Sequence, residues 1–116
     1  MADILRLNPG VRMSQAVVHN GLLYSSGQVD TEASDVTEQT RNILRKIDRV
    51  LAEAGTTRSR IISANIWLAD ITSFDAMNVV WEEWIDRTAP PARATVESRL
   101  ASPQYKVEIS IIAAMP

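Results

Sequence analysis

The chain has 116 residues, 46% of them hydrophobic and 22% charged, the size and composition of one folded unit with no room for a second core, so residues 1–116 are read as a single domain. A formal charge of −2 and a pI near 5.3 offer no basic field to a phosphate backbone, so nucleic acid is not the expected partner. The lack of cysteine excludes a disulfide framework, a thiolate metal site and a thiol nucleophile, and it fits a reducing compartment.

At the N-terminus, Met1 to Arg6 has neither the basic start nor the apolar core of a signal peptide. No apolar run approaches the roughly 20 residues that span a bilayer. A cytoplasmic protein without a membrane partner is expected. Residues 4 to 7 suggest a short strand, broken at once by Asn8-Pro9-Gly10. Ala16 to His19 and Leu22 to Ser25 then flank Asn20-Gly21, a dipeptide suited to the positive φ angles of a two-residue hairpin turn.

From Asp35 the period changes. Val36, Ile43, Leu44, Ile47, Val50, Leu51 and Ala54 fall on one helical stripe, with Asp35 and Glu38 as reciprocal caps and Gly55 at the end. Ile62, Ala64, Ile66 and Leu68 alternate with Ile61, Ser63, Asn65 and Trp67, which predicts a strand with a semi-polar second face. Thr72 or Ser73 caps a second helix that buries Phe74, Met77, Val80, Trp81, Trp84 and Ile85 and ends before Pro90-Pro91. In the last third, Arg93, Thr95 and Glu97 alternate with Ala94 and Val96, and Val107, Ile109 and Ile111 alternate with Lys106, Glu108 and Ser110. The order predicts an α+β fold, a mixed sheet with two helices laid on one side. Ile61, Trp67 and Ile112 then fall on the uncovered face, where apolar groups suit a partner subunit.

Few residues offer chemistry. His19, the single histidine, is expected to be an exposed turn residue, and with so few nitrogen or sulfur ligands no metal site is expected. Gly27, after Ser25-Ser26, either permits close packing or opens the backbone to a ligand. Trp81, Trp84 and Phe74 are expected in the core. Arg93 and Thr95 share a face by their period-two spacing. If their strand forms a hairpin with the last one, Thr95 stands opposite Glu108 and Glu97 opposite Lys106; otherwise these groups meet across a subunit boundary. The plain reading of Arg93 with Glu108 is an ion pair on a solvated sheet face. The functional one is a fork for a carboxylate beside a group that positions water.

Read in order, these pieces resemble a known family. Ser26-Gly27-Gln28, Gln39, Ala54-Gly55, Pro91-Ala92-Arg93 and Lys106-Val107-Glu108-Ile109 are similar to the RidA or YjgF reactive intermediate deaminases, over roughly residues 12 to 113. Arg12-x-Ser-x-Ala-Val-Val and Pro103-x-Tyr-Lys-Val-Glu resemble the YoaB-type branch. The resemblance implies a chorismate mutase-like fold, with a six-stranded mixed sheet and two helices on one face, assembled as a homotrimer with ligand clefts between neighbours. It implies hydrolysis of enamines and imines such as 2-aminoacrylate to 2-oxo acids and ammonia, without a cofactor. Arg93 would grip the substrate carboxylate, Glu108 would position or activate water, and Gly27 and Thr95 would line the cleft. Met13 stands where these enzymes usually carry a tyrosine facing the substrate, and Thr95 where many carry a cysteine. Met13 therefore also motivates a second reading, a non-catalytic protein that binds a small carboxylate or docks on another enzyme. Ribonuclease activity, associated with some relatives, fits poorly with the acidic charge and single histidine.

Overall fold

The computed structural model describes residues 3–116; Met1 and Ala2, part of the segment read against a signal peptide, lie outside the described residues. Strands β1 (Leu5–Leu7), β2 (Ala16–His19) and β3 (Leu22–Ser25) precede helix α1 (Val36–Ala54). Strand β4 (Ile61–Leu68), helix α2 (Phe74–Trp84), β5 (Ala92–Glu97) and β6 (Val107–Ala114) complete the chain. The predicted hairpin forms, with Asn20 at φ 51° and Gly21 at φ 79°, the left-handed angles its tight turn requires.

Helix α1 starts where the Asp35 side chain accepts a hydrogen bond from the Glu38 amide at 2.7 Å. The reciprocal half of the cap is absent, because the Glu38 carboxylate pairs with Arg41 one turn on. Gly55 ends the helix at φ 89°, a left-handed angle that lets its amide reach the Leu51 and Ala52 carbonyls. Ile43, Leu44, Ile47, Val50 and Leu51 are buried, each contributing about 1.5–3 kcal/mol through loss of apolar surface. Helix α2 follows a 3-10 turn, Ile71–Ser73, which Asp70 caps. Ser73 occupies the N-cap position of α2, but its hydroxyl donates to the Asp70 carbonyl.

The six strands form one mixed sheet in the order β1-β2-β3-β6-β4-β5. Strand β6 runs antiparallel to both β3 and β4, and β5 runs parallel to β4. Crossovers through α1 and α2 therefore connect parallel strands. Val107, Ile109, Ile111 and Ala113 of β6 join Ala64, Ile66 and Leu68 of β4 in the buried cluster beneath the helices.

One open alternative is excluded here and one expectation fails. The last two strands form no hairpin, because β4 lies between them. An edge hairpin would leave β6 with a neighbour on one side only, whereas the centre of the sheet buries its whole apolar face. Ile61 is also core, at 4% exposure, while Ile62 is 48% exposed. A register shift between Ile61 and Ser63 inserts one residue and reverses the alternation at the start of β4. The face away from the helices carries two rows, Val17, Tyr24 and Ile112 in one and Trp67 with Val96 in the other. Tyr24 and Val96 are exposed there.

Candidate functional site

The register decides where the candidate residues lie. Arg93 stands beside Ala64 and Thr95 beside Ile66, and both of those neighbours are buried under the helices. Arg93 and Thr95 thus share the helix-covered face, as their spacing predicted. Glu108 stands beside Trp67 and, through it, Val96, on the opposite face. The sequence pattern treated these groups as able to converge within one chain. They do not, and the expected surface ion pair between Arg93 and Glu108 is absent because the sheet itself separates them.

Each half has its own construction. The Arg93 guanidinium carbon lies 5.4 Å from the Trp81 ring centroid and 5.8 Å from that of Phe74. Among the described residues no carboxylate forms an ion pair with Arg93 and no acceptor takes a hydrogen bond from it. Burial pulls its pKa down from the ordinary arginine value and nearby Glu82 pushes back up; an arginine so placed stays charged near neutrality. Thr95 Oγ1, one step along the same face, is buried and has no hydrogen-bond partner among the described residues. A buried hydroxyl without a partner costs free energy, about 1–3 kcal/mol, unless a ligand or neighbour completes it.

On the other face Gly27 and Glu108 meet. Gln28 and Ile109 exchange backbone hydrogen bonds of 2.8 and 3.1 Å in an antiparallel bridge, which puts Gly27 and Glu108 diagonally across from one another on the same face. A Cβ placed on Gly27 would fall 2.0 Å from Oε2 of Glu108. The glycine is therefore the space in which the carboxylate sits, the close packing that its missing side chain permits. The loop before β2 is tied to the same place, since the Ser26 hydroxyl donates to the Ser14 carbonyl and the Ser26 amide to that of Gln15. Met13, 51% exposed, adjoins this anchor, and its carbonyl accepts from Gly10.

Pattern reading missed three things. Phe74, placed in the core, sits at its rim with 36% exposure against Arg93. Its spacing of seven from Trp81 was the available signal, since it puts both rings on one helix face. Gln39 is fully buried: its amide nitrogen donates to the carbonyls of Ala33 and Gln104 and its oxygen accepts from Lys106, all at 2.9 Å. It pins the entry to β6, two residues before Glu108. His19 is half-buried, with Nδ1 out of contact with water, rather than freely exposed at its turn. The larger grooves lie elsewhere, one of about 540 Å³ beside Asp48 and Trp84, and one of about 730 Å³ under the loop from Glu97 to Tyr105. Neither takes in Arg93, Thr95, Gly27 or Glu108. Among the described residues no helix is long and apolar enough to cross a membrane.

Comparison with known proteins gives a consistent result. The family described as Endoribonuclease L-PSP matches residues 4–115. A RutC family protein of Haemophilus influenzae is 46% identical over 112 residues, covering 95% of this chain and 97% of the relative. RutC family protein YoaB of Escherichia coli is 43% identical over 112 residues, covering 97% and 98%. Among solved structures, a member of the YjgF protein family from Neisseria meningitidis superimposes with a TM-score of 0.96 at 41% identity, covering 98% of this chain and 96% of that one.

Proposed function

Since the chain belongs to the RidA/YjgF family, in its YoaB-like branch, we propose that it hydrolyses small enamines and imines bearing a carboxylate, in clefts shared between the subunits of a homotrimer. The observation that carries this reading is the division of the site: an arginine without an ion-pair partner among the described residues on one face of the sheet and a glycine-cradled glutamate on the other. A charged fork at a sheet margin suits carboxylate capture, and a carboxylate held in a fixed place suits water positioning. Neither half is sufficient alone. Packing the apolar open face of one subunit against the β5 edge of the next would bring Glu108 of one towards Arg93 of the other, and would bury Tyr24, Trp67 and Val96.

The chemistry needs only these groups. An enamine such as 2-aminoacrylate takes up a proton at its terminal carbon to become the iminium ion, the protonated imine. Arg93 holds the carboxylate by two N–H donors and so fixes the electrophilic carbon next to it. Glu108 accepts a proton from water as the water oxygen bonds to that carbon, giving a carbinolamine. Glu108 returns its proton to nitrogen, the C–N bond breaks to release ammonia, and the hydroxyl gives up its proton to solvent as the C=O bond of the 2-oxo acid forms. Thr95 Oγ1 supplies a further hydrogen bond to the bound carboxylate or its neighbour. Met13 contributes an apolar wall without a proton.

The test is ammonia release from 2-aminoacrylate generated by a serine dehydratase, with wild type compared with Arg93→Ala. Acceleration by the wild type and its loss in the variant are expected. Equal rates, or no acceleration by the wild type, would overturn the reading. Carboxylate binding without turnover would instead favour the non-catalytic binding protein that Met13 suggests.

A further inference from the structure

We infer that Trp81 and Phe74 are positioning residues for Arg93, an aromatic seat that orients the cation while leaving its hydrogen-bond donors to the ligand carboxylate. The inference rests on the reading of Arg93 as the carboxylate-binding group, and it concerns how that group is made ready.

An arginine can be fixed in two ways. An ion pair or a carbonyl fixes it by occupying N–H donors, the groups a carboxylate must use. Aromatic faces fix it through attraction between cation and ring quadrupole, which occupies no directed donor. Arg93 is held in the second way. Its guanidinium carbon lies within 6 Å of two ring centroids, at 5.4 and 5.8 Å, with no acceptor engaged among the described residues. The contrast within the same chain is informative. Arg58 also lies over a tryptophan, 5.2 Å from the ring centroid of Trp84, but its donors are consumed by Asp48 and by the Trp84 carbonyl. Arg58 is locked in the protein; Arg93 is seated but available.

The seat is anchored unequally. Trp81 is 6% exposed and belongs to the core cluster, so its ring position is set by packing. Phe74, two helical turns earlier, is 36% exposed and closes the outer side. Burial against these rings also strips water from Arg93, which strengthens its attraction for an anion. A free arginine at a sheet margin would sample many rotamers and lose that freedom on binding, a cost of about 0.5–1.5 kcal/mol per side chain. The seat removes part of that loss in advance.

Titration calorimetry with pyruvate as probe, on the assembled protein, separates the possibilities. Arg93→Ala is expected to abolish binding. Trp81→Phe, which keeps a ring, is expected to bind within about twofold of wild type, whereas Trp81→Leu and Phe74→Leu bind about 3- to 30-fold more weakly. Turnover of 2-aminoacrylate should show the same variants raising KM while kcat holds, a split that general destabilisation would not give. The side-chain Nε–H resonance of Arg93, shifted by the ring currents, should move towards the value of a free arginine in Trp81→Leu. Because Trp81 is also core, Phe74→Leu decides the matter if Trp81→Leu does not fold. Loss of binding in Arg93→Ala with wild-type affinity in both leucine variants would overturn the seat and leave the carboxylate role of Arg93 standing. Equal binding by wild type and Arg93→Ala would overturn that role, and the seat with it.

Discussion

Replacing Gly27 by alanine adds one carbon at the place where Glu108 sits. The new Cβ would lie 2.0 Å from Oε2, 2.8 Å from Cδ and 3.2 Å from Cγ of that side chain, against an ordinary contact of 3.4 Å or more. The carboxylate must therefore withdraw by about 1.4 Å, the difference between the 2.0 Å overlap and that contact. The backbone does not object, because φ at Gly27 lies outside the left-handed region and alanine can adopt it. What moves is the flexible end of a half-buried side chain, so stability should change by less than about 1 kcal/mol. Catalysis is far less tolerant: misplacement of a reacting group by about 1 Å costs on the order of 100-fold. In the ammonia-release assay Gly27→Ala should therefore lose about 100-fold in kcat while melting as the wild type does. Combining it with Glu108→Gln should cost no more than Glu108→Gln alone, since both remove the same positioned carboxylate. A folded Gly27→Ala protein with wild-type kcat, or losses that multiply in the double variant, would refute the assignment of Glu108.

Other expectations follow from the same geometry. If each cleft takes Arg93 from one subunit and Glu108 from its neighbour, co-assembly of equal amounts of Arg93→Ala and Glu108→Gln, each inactive alone, should restore about one quarter of wild-type activity. A site confined to one chain would restore none. Gln39→Leu leaves the Ala33 and Gln104 carbonyls and the Lys106 amide without their partner, and should cost about 2–4 kcal/mol in urea unfolding. Unchanged stability would mean that the amide clamp is dispensable. Asp30, only 3% exposed, is resisted by burial, yet hydrogen bonds from Asn42, Ala33 and Glu32, together with the Lys46 charge, hold its carboxyl below the usual value. A carboxyl lowered in the folded state stabilises the protein above its unfolded pKa of about 4 and loses that contribution as pH falls through the folded value. Asn42→Ala should therefore lower stability at pH 7 and flatten its decline below about pH 4. An acid profile parallel to wild type would count against this role.

Much of the chain was legible because its signals are short-range. Asn20-Gly21 needs only its own two residues to make a hairpin turn, and Asp35 and Gly55 cap α1 through neighbours three or four positions away. The helical stripe of α1 gave its buried face correctly, since helix and stripe are one object. Two local signals did mislead. Ser73 holds the expected N-cap position of α2 without making the side-chain bond, which Asp70 makes to the Thr72 amide in the turn before it, and one extra residue in β4 exchanged the environments of Ile61 and Ile62. Each depends on a choice between near-equal local hydrogen-bonding patterns.

The sequence by itself determined that Arg93 and Thr95 share a face and that Glu108 lies on the alternate parity from Val107 and Ile109. A period of two says which residues look the same way, not which way that is. The direction was decided only when β4 took the place between β5 and β6, because that arrangement buries the apolar side of β6 under the helices and leaves the polar side of β5 facing them. Arg93 is thereby set against Trp81 and Phe74, and Glu108 beside Gly27 on the opposite face. Strand order is a competition among distant segments for the same buried surface, and no window of sequence contains it.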